Sequence, residues 1–114
     1  MDRRHRLTRA QDFQRVRTAG KSYAHPLAVL VACRNGLDHS RFGLRAGRAV
    51  GTAVQRNRAR RRLREALRPM VSQIFPGWDV VLVARESTAG AEWSEVQAGV
   101  ASLVRRAGLT MEPE

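Results

Sequence analysis

The side chains of this sequence best suited to chemistry are gathered in one segment, Gly51-Thr-Ala-Val-Gln-Arg-Asn-Arg-Ala-Arg-Arg-Arg-Leu-Arg-Glu-Ala-Leu-Arg68. Between Arg56 and Arg68 it holds seven arginines against one carboxylate, Glu65. Guanidinium forks grip phosphates and stack on bases, so the chemistry on offer is recognition of a polyanion. Wound as a helix at about 100° per residue, the segment sets Ala59, Leu63, Ala66, Leu67 and Met70 on one side. Asn57, Arg60, Arg61, Arg64 and Arg68 fall opposite. Arg58, Arg62 and Glu65 share a third strip, and Arg56 lies at the edge of the apolar one. Like charges one turn apart repel. A bound polyanion relieves that repulsion and releases counterions. Asn57, central on the basic face, adds a neutral donor and acceptor suited to a base edge or a 2′-hydroxyl.

Such a run has other uses: a solvated face, a calmodulin-type or membrane-surface helix, or a nuclear signal. A solvated face normally mixes signs, and this one does not. A membrane helix needs a larger exposed apolar face than five mostly small residues. The usual catalytic groups are missing. His5, His25 and His39 are scattered with no ligand spacing, and one cysteine with no clustered acids makes a zinc site improbable. Asp12 and Asp79 form no carboxylate pair for acid/base or two-metal work. Gly-rich phosphate loops and nucleophile elbows are absent. The expectation is a protein without catalytic residues or a metal site of its own.

Composition agrees. The 114 residues carry a net charge of +11, with a pI near 11.7, and Lys21 is the only lysine. A GC-rich coding sequence could account for arginine over lysine, but the field still favours polyanions. Residues 1–68 hold 18 basic and 4 acidic side chains, whereas residues 69–114 hold 3 and 6. That split marks the first part as the contact surface. The length suits one domain, spanning 1–114. Cys33 is expected as a small core residue in a reducing compartment. No apolar stretch approaches the ~20 residues of a membrane helix, and no h-region follows the basic start, so a cytoplasmic protein is expected.

The elements that must position the arginines follow from periodicity and turn residues. Residues 1–7 read as a flexible basic arm. Thr8 and Gln11 have the form of a capping box opening a helix with Phe13, Val16 and Ala19 on one side, ended by Gly20. Lys21–His25 is extended and meets Pro26. Leu27–Cys33 reads as a strand buried on both faces, and Asn35-Gly36 with Asp38 as a turn. Ser40–Ala46 alternates Arg41, Gly43 and Arg45 with Phe42, Leu44 and Ala46, a half-buried strand with a basic face. The arginine helix runs from about Thr52 to Met70 and stops near Pro69. Pro76-Gly77 is a turn, Asp79–Ala84 a core strand, and Glu92–Ala107 a helix aligning Val96, Val100, Leu103, Val104 and Ala107. Residues 111–114 read as a frayed tail. The order is α-β-β-β-α-β-α, a single-domain α+β sandwich with helices packed on a small mixed sheet.

Ala53-Val54-Gln55-Arg56-Asn57-Arg58-Ala59-Arg60-Arg61, followed by Leu63-Arg64-Glu65-Ala66, resembles the signature of the bacterial ribonuclease P protein component. In that family the helix carries an Arg-Asn-Arg core, a basic pair, then an apolar-Arg-Glu-Ala run. Arg6-Leu7 and Asp12-Phe13 resemble the family's opening helix. Gly43 and Gly51 resemble its glycines before the arginine helix, and Asp79-Val80-Val81 through Ala84-Arg85 its last strand. The resemblance extends over nearly the whole chain, and the Arg-Asn-Arg segment with its flanks is its specific part.

The resemblance implies a subunit that joins a large catalytic RNA to remove the 5′ leader of precursor tRNA. The holoenzyme uses RNA-bound Mg2+, and the protein supplies no catalytic side chain. It also implies a left-handed β-α-β crossover, as in the second domain of ribosomal protein S5. Catalytic-RNA contacts would be Arg56, Asn57, Arg58, Arg60, Arg61 and Arg64, with Arg68 on the same face. A cleft between the first helix and the sheet would hold the single-stranded leader at Phe13, Arg17, Arg45, Arg48 and Arg85. Phe13 can also be read as a core anchor, and Arg85 as a solvated strand end. The sequence departs from the family at three places. Arg17 replaces a second aromatic, Val31 a third, and Arg48-Ala49 stands for a Lys-Lys pair. A monomer without an obligate protein partner is expected. The rival readings are a ribosomal protein, a duplex-DNA binder and a protein-only nuclease.

Overall fold

The computed structural model describes residues 3–110. The elements are α1 (Ala10–Ala19), β1 (Lys21–His25), β2 (Ala28–Arg34), β3 (Arg41–Arg45), α2 (Ala53–Leu67), β4 (Trp78–Ala84) and α3 (Trp93–Arg106), with short 3-10 turns between them. This is the α-β-β-β-α-β-α order expected from the sequence. The sheet order is β1-β2-β4-β3. β1 and β2, and β2 and β4, are antiparallel, while β3 runs parallel to β4. A parallel pair needs a crossover, and α2 supplies it.

Alternation on the two central strands explains their unbroken apolar runs. Leu30 lies opposite Leu82 and Val31 opposite Val81. Leu30 and Leu82 face the larger core, with Phe42, Leu63, Leu67, Val100, Leu103 and Val104 from β3, α2 and α3. Val31 and Val81 face a smaller one with Leu7 and Val16, against which Phe13, Cys33 and Val83 pack partly buried. The sheet is therefore covered on both faces, as such runs require. Cys33 takes the expected small-residue place, half-buried.

Three local expectations are corrected. The N-cap of α1 is Arg9, with no side-chain cap, rather than Thr8. Leu7 N–H donates to Phe42 O at 2.8 Å, so the chain is still tied to β3 at that point and Thr8 precedes the first turn. Ala19 is exposed, and Val16 alone of α1 is fully buried. The arm expected at 1–7 is packed down over residues 3–7: Arg3–His5 forms a 3-10 turn, His5 Nδ1 meets Ser40 O at 2.9 Å, and Leu7 is 4% exposed. Burying the leucine outweighs the repulsion among neighbouring arginines. Residues 1 and 2, and the tail read at 111–114, lie outside the described residues.

Candidate nucleic-acid interface

The arginine helix is set by its first turn. Gln55 N–H donates to Thr52 Oγ1 at 3.2 Å and Thr52 N–H to Gln55 Oε1 at 2.8 Å, a capping box. Gly51 precedes it at φ 130°, and a Cβ there would stand 1.9 Å from Gln55 Oε1. Only glycine fits. Ala59, Leu63, Ala66 and Leu67 are buried, as the periodicity required.

Asn57, Arg60, Arg61 and Arg64, together with Val54, line a shallow hollow on the outer face. Arg60 donates to Asn57 Oδ1, which orients the amide within the basic face. Arg58 is exposed and Arg56 half-buried. Arg68 is exposed but paired with Glu65 at 2.9 Å, so its charge is partly offset. Val54 was not singled out in the sequence, although the spacing 54-57-61-64 puts it on the same stripe. It is 77% exposed.

Arg62 is the arginine of this helix that turns inward. Its guanidinium donates to Thr88 O and Ala89 O, both at 2.8 Å, and to Ala91 O at 2.5 Å, and lies 5.8 Å from the Trp93 ring centroid. It clamps α2 to the loop before α3. Periodicity sets it off the Asn57-Arg60-Arg61-Arg64 face, but nothing in the local sequence shows that it is engaged, because its partners lie 26 to 29 residues away.

A cleft of about 460 Å³ opens between α1 and the sheet. Phe13, Gln14 and Arg17 of α1 form one wall, Val31, Val81 and Val83 the floor, and Arg45 and Gly47 the far side. Phe13 is half-buried: it packs on the smaller core, as a core anchor would, and also lines the cleft. A second hollow, shared by Phe13, Arg6, Leu7, Leu44 and Arg64, adjoins it. Phe13 and Arg64 thus join the cleft to the arginine face. Arg48 and Arg85 do not line the cleft; both are exposed, Arg48 opening the turn Arg48–Val50 and Arg85 preceding the turn Glu86–Thr88, and the two turns pack together.

The basic face expected on β3 is only partly free. Arg41 reaches Asp79 through two hydrogen bonds, 2.9 and 2.8 Å, and lies 3.5 Å from Asp12. Arg15 and Asn35 also donate to Asp79. Burial pushes the Asp79 carboxyl up, but hydrogen bonds from Arg41 and Asn35 and the charges of Arg41 and Arg15 outweigh it and hold the pKa below the ordinary value. The Asp79 hydrogen bond in turn raises Arg41. Asp12 and Asp79 are counter-ions to Arg15 and Arg41. Among the described residues, no group of three His, Cys, Asp or Glu side chains comes together to hold a metal ion.

The Ribonuclease P family model matches residues 1–108. The ribonuclease P protein component of Herpetosiphon aurantiacus is 40% identical over 114 residues, covering 100% of this chain and 93% of that protein. The chain belongs to the ribonuclease P protein family. The ribonuclease P protein component of Roseiflexus castenholzii is 41% identical over 110 residues, covering 96% of this chain and 90% of the other. Among solved structures, ribonuclease P protein from Staphylococcus aureus superposes with a TM-score of 0.84 at 28% identity, covering 93% of this chain and 97% of its own. That from Thermotoga maritima gives 0.78 at 30%, covering 89% and 96%. This chain is accordingly a subunit of a tRNA-processing ribonucleoprotein endonuclease, ribonuclease P, and its fold is the family's.

Proposed function

We propose that the outer face of α2 binds the catalytic RNA of ribonuclease P while the α1–sheet cleft holds the 5′ leader of precursor tRNA. The observation that carries this reading is the continuity of the two surfaces through Phe13 and Arg64. On α2, Arg56, Arg58, Arg60, Arg61, Arg64 and Arg68 neutralise phosphates, and Asn57 reads a base edge or 2′-hydroxyl. In the cleft, Phe13, Arg17 and Arg45 hold the leader. Arg48 and Arg85 extend the positive surface beyond Gly47 and meet the leader's more distant phosphates.

The protein raises affinity for precursor over mature tRNA and leaves bond cleavage to the RNA. Mg2+ belongs to the RNA in this reading, because the protein's buried carboxylate is already saturated by Arg41, Arg15 and Asn35. The subunit works in the cytoplasm as a monomer without an obligate protein partner. No helix among the described residues is long and apolar enough to cross a membrane.

The test is reconstitution at low magnesium with a bacterial catalytic RNA and a leader-bearing precursor tRNA. Cleavage stimulated by the protein is expected. No stimulation, or cleavage by protein free of RNA, would overturn the assignment. Co-sedimentation with ribosomes without any effect on cleavage would favour a ribosomal role instead.

A further inference from the structure

Within the cleft, the Phe13 ring is covered on its face. Phe13 leans on the β3 backbone: its Cε1 and Cζ lie 2.5 and 2.6 Å from where a Cβ on Gly43 would stand. On the cleft side the Arg45 guanidinium lies over the ring, 4.9 Å from its centroid. Arg45 is exposed, and no hydrogen bond or ion pair engages it among the described residues. Arg41, four residues earlier on the same strand, is consumed by Asp79 and Asp12. The cleft floor is aliphatic, built by Val31, Val81 and Val83. Phe13 is therefore the ring available in the cleft, and it is capped.

We infer that Arg45, seated on Phe13, is the leader-stacking platform of this protein: one base of the leader lies on its guanidinium plane while its N–H edges reach a flanking phosphate. This rests on the cleft being the leader site, as proposed above. A guanidinium is planar and weakly hydrated, so it stacks on a base and on a ring at once. Phe13 then acts as a positioning residue that holds the plane flat. Such a platform is tolerant of base identity and adds a charge, so leader affinity should fall more steeply with salt than stacking alone allows.

The experiment uses the reconstituted holoenzyme and compares wild type, Arg45→Lys and Arg45→Ala, measuring affinity for leader-bearing precursor tRNA over mature tRNA. Circular dichroism checks that each variant is folded. Both variants are expected to lower the ratio by on the order of tenfold, lysine nearly as much as alanine, because the plane is lost in each. Two outcomes overturn the inference. Full retention by Arg45→Lys would make Arg45 a plain phosphate contact, and a ratio raised by Arg45→Ala would mean that the bare Phe13 ring is the platform. A wild-type holoenzyme that does not favour precursor over mature tRNA would remove the cleft reading itself, and this inference with it.

Discussion

Arg41 forks onto Asp79 through two hydrogen bonds of 2.9 and 2.8 Å across the parallel β3–β4 pair, in register with each other. Arg15 of α1 donates to the same carboxylate, so one buried charge ties α1, β3 and β4 together. Removing one partner of a buried ion pair strands the others. Asp79→Ala should cost about 3–5 kcal/mol of stability in urea titration. A loss below about 1 kcal/mol would mean that the cluster contributes little.

The same carboxylate sets an acid limit. Its folded pKa lies below the ordinary 3.8, so it contributes stability above the unfolded value, and that contribution is lost as pH falls through the folded value. The melting temperature should drop as pH is lowered below about 4, and Asp79→Asn should flatten that part of the profile. An unchanged profile in the variant would assign the acid transition to other carboxylates.

Arg61 and Arg64 should each hold one phosphate. Arg61→Ala and Arg64→Ala are expected to weaken assembly with the catalytic RNA and to lower its salt slope by about one each. An undiminished slope would take them out of the interface. Arg68→Ala should have a smaller effect, since Glu65 already shares its charge.

Arg62→Ala separates architecture from recognition on the same helix. The loss of three charge-assisted hydrogen bonds to carbonyls should lower stability by about 2 kcal/mol and leave the salt slope as in wild type. A slope reduced like that of Arg61→Ala would place Arg62 against RNA instead.

Gly43→Ala drives a methyl into the Phe13 ring. It should cost about 1–3 kcal/mol by overpacking, and it should reduce the preference for precursor over mature tRNA while sparing assembly with the catalytic RNA. Equal loss of both activities would show that the cleft and the α2 face are not independent surfaces.

Local sequence carried much of this protein. The capping box at Thr52 and Gln55, the buried stripe Ala59-Leu63-Ala66-Leu67 and the doubly buried strands β2 and β4 all follow from spacings of a few residues, which backbone geometry converts directly into faces. The Arg-Asn-Arg segment with its flanks carries the family resemblance in the sequence alone. Tertiary structure decided which charges are free. Thr8 lost the N-cap of α1 because Leu7 is tied to β3, Arg41 was withdrawn from the basic face of β3 by Asp79, and Arg15 and Arg62 are held by partners far along the chain. An arginine's availability depends on which carboxylates and carbonyls folding brings beside it. Side-chain periodicity says nothing about those distant neighbours, whereas packing against the sheet settles them.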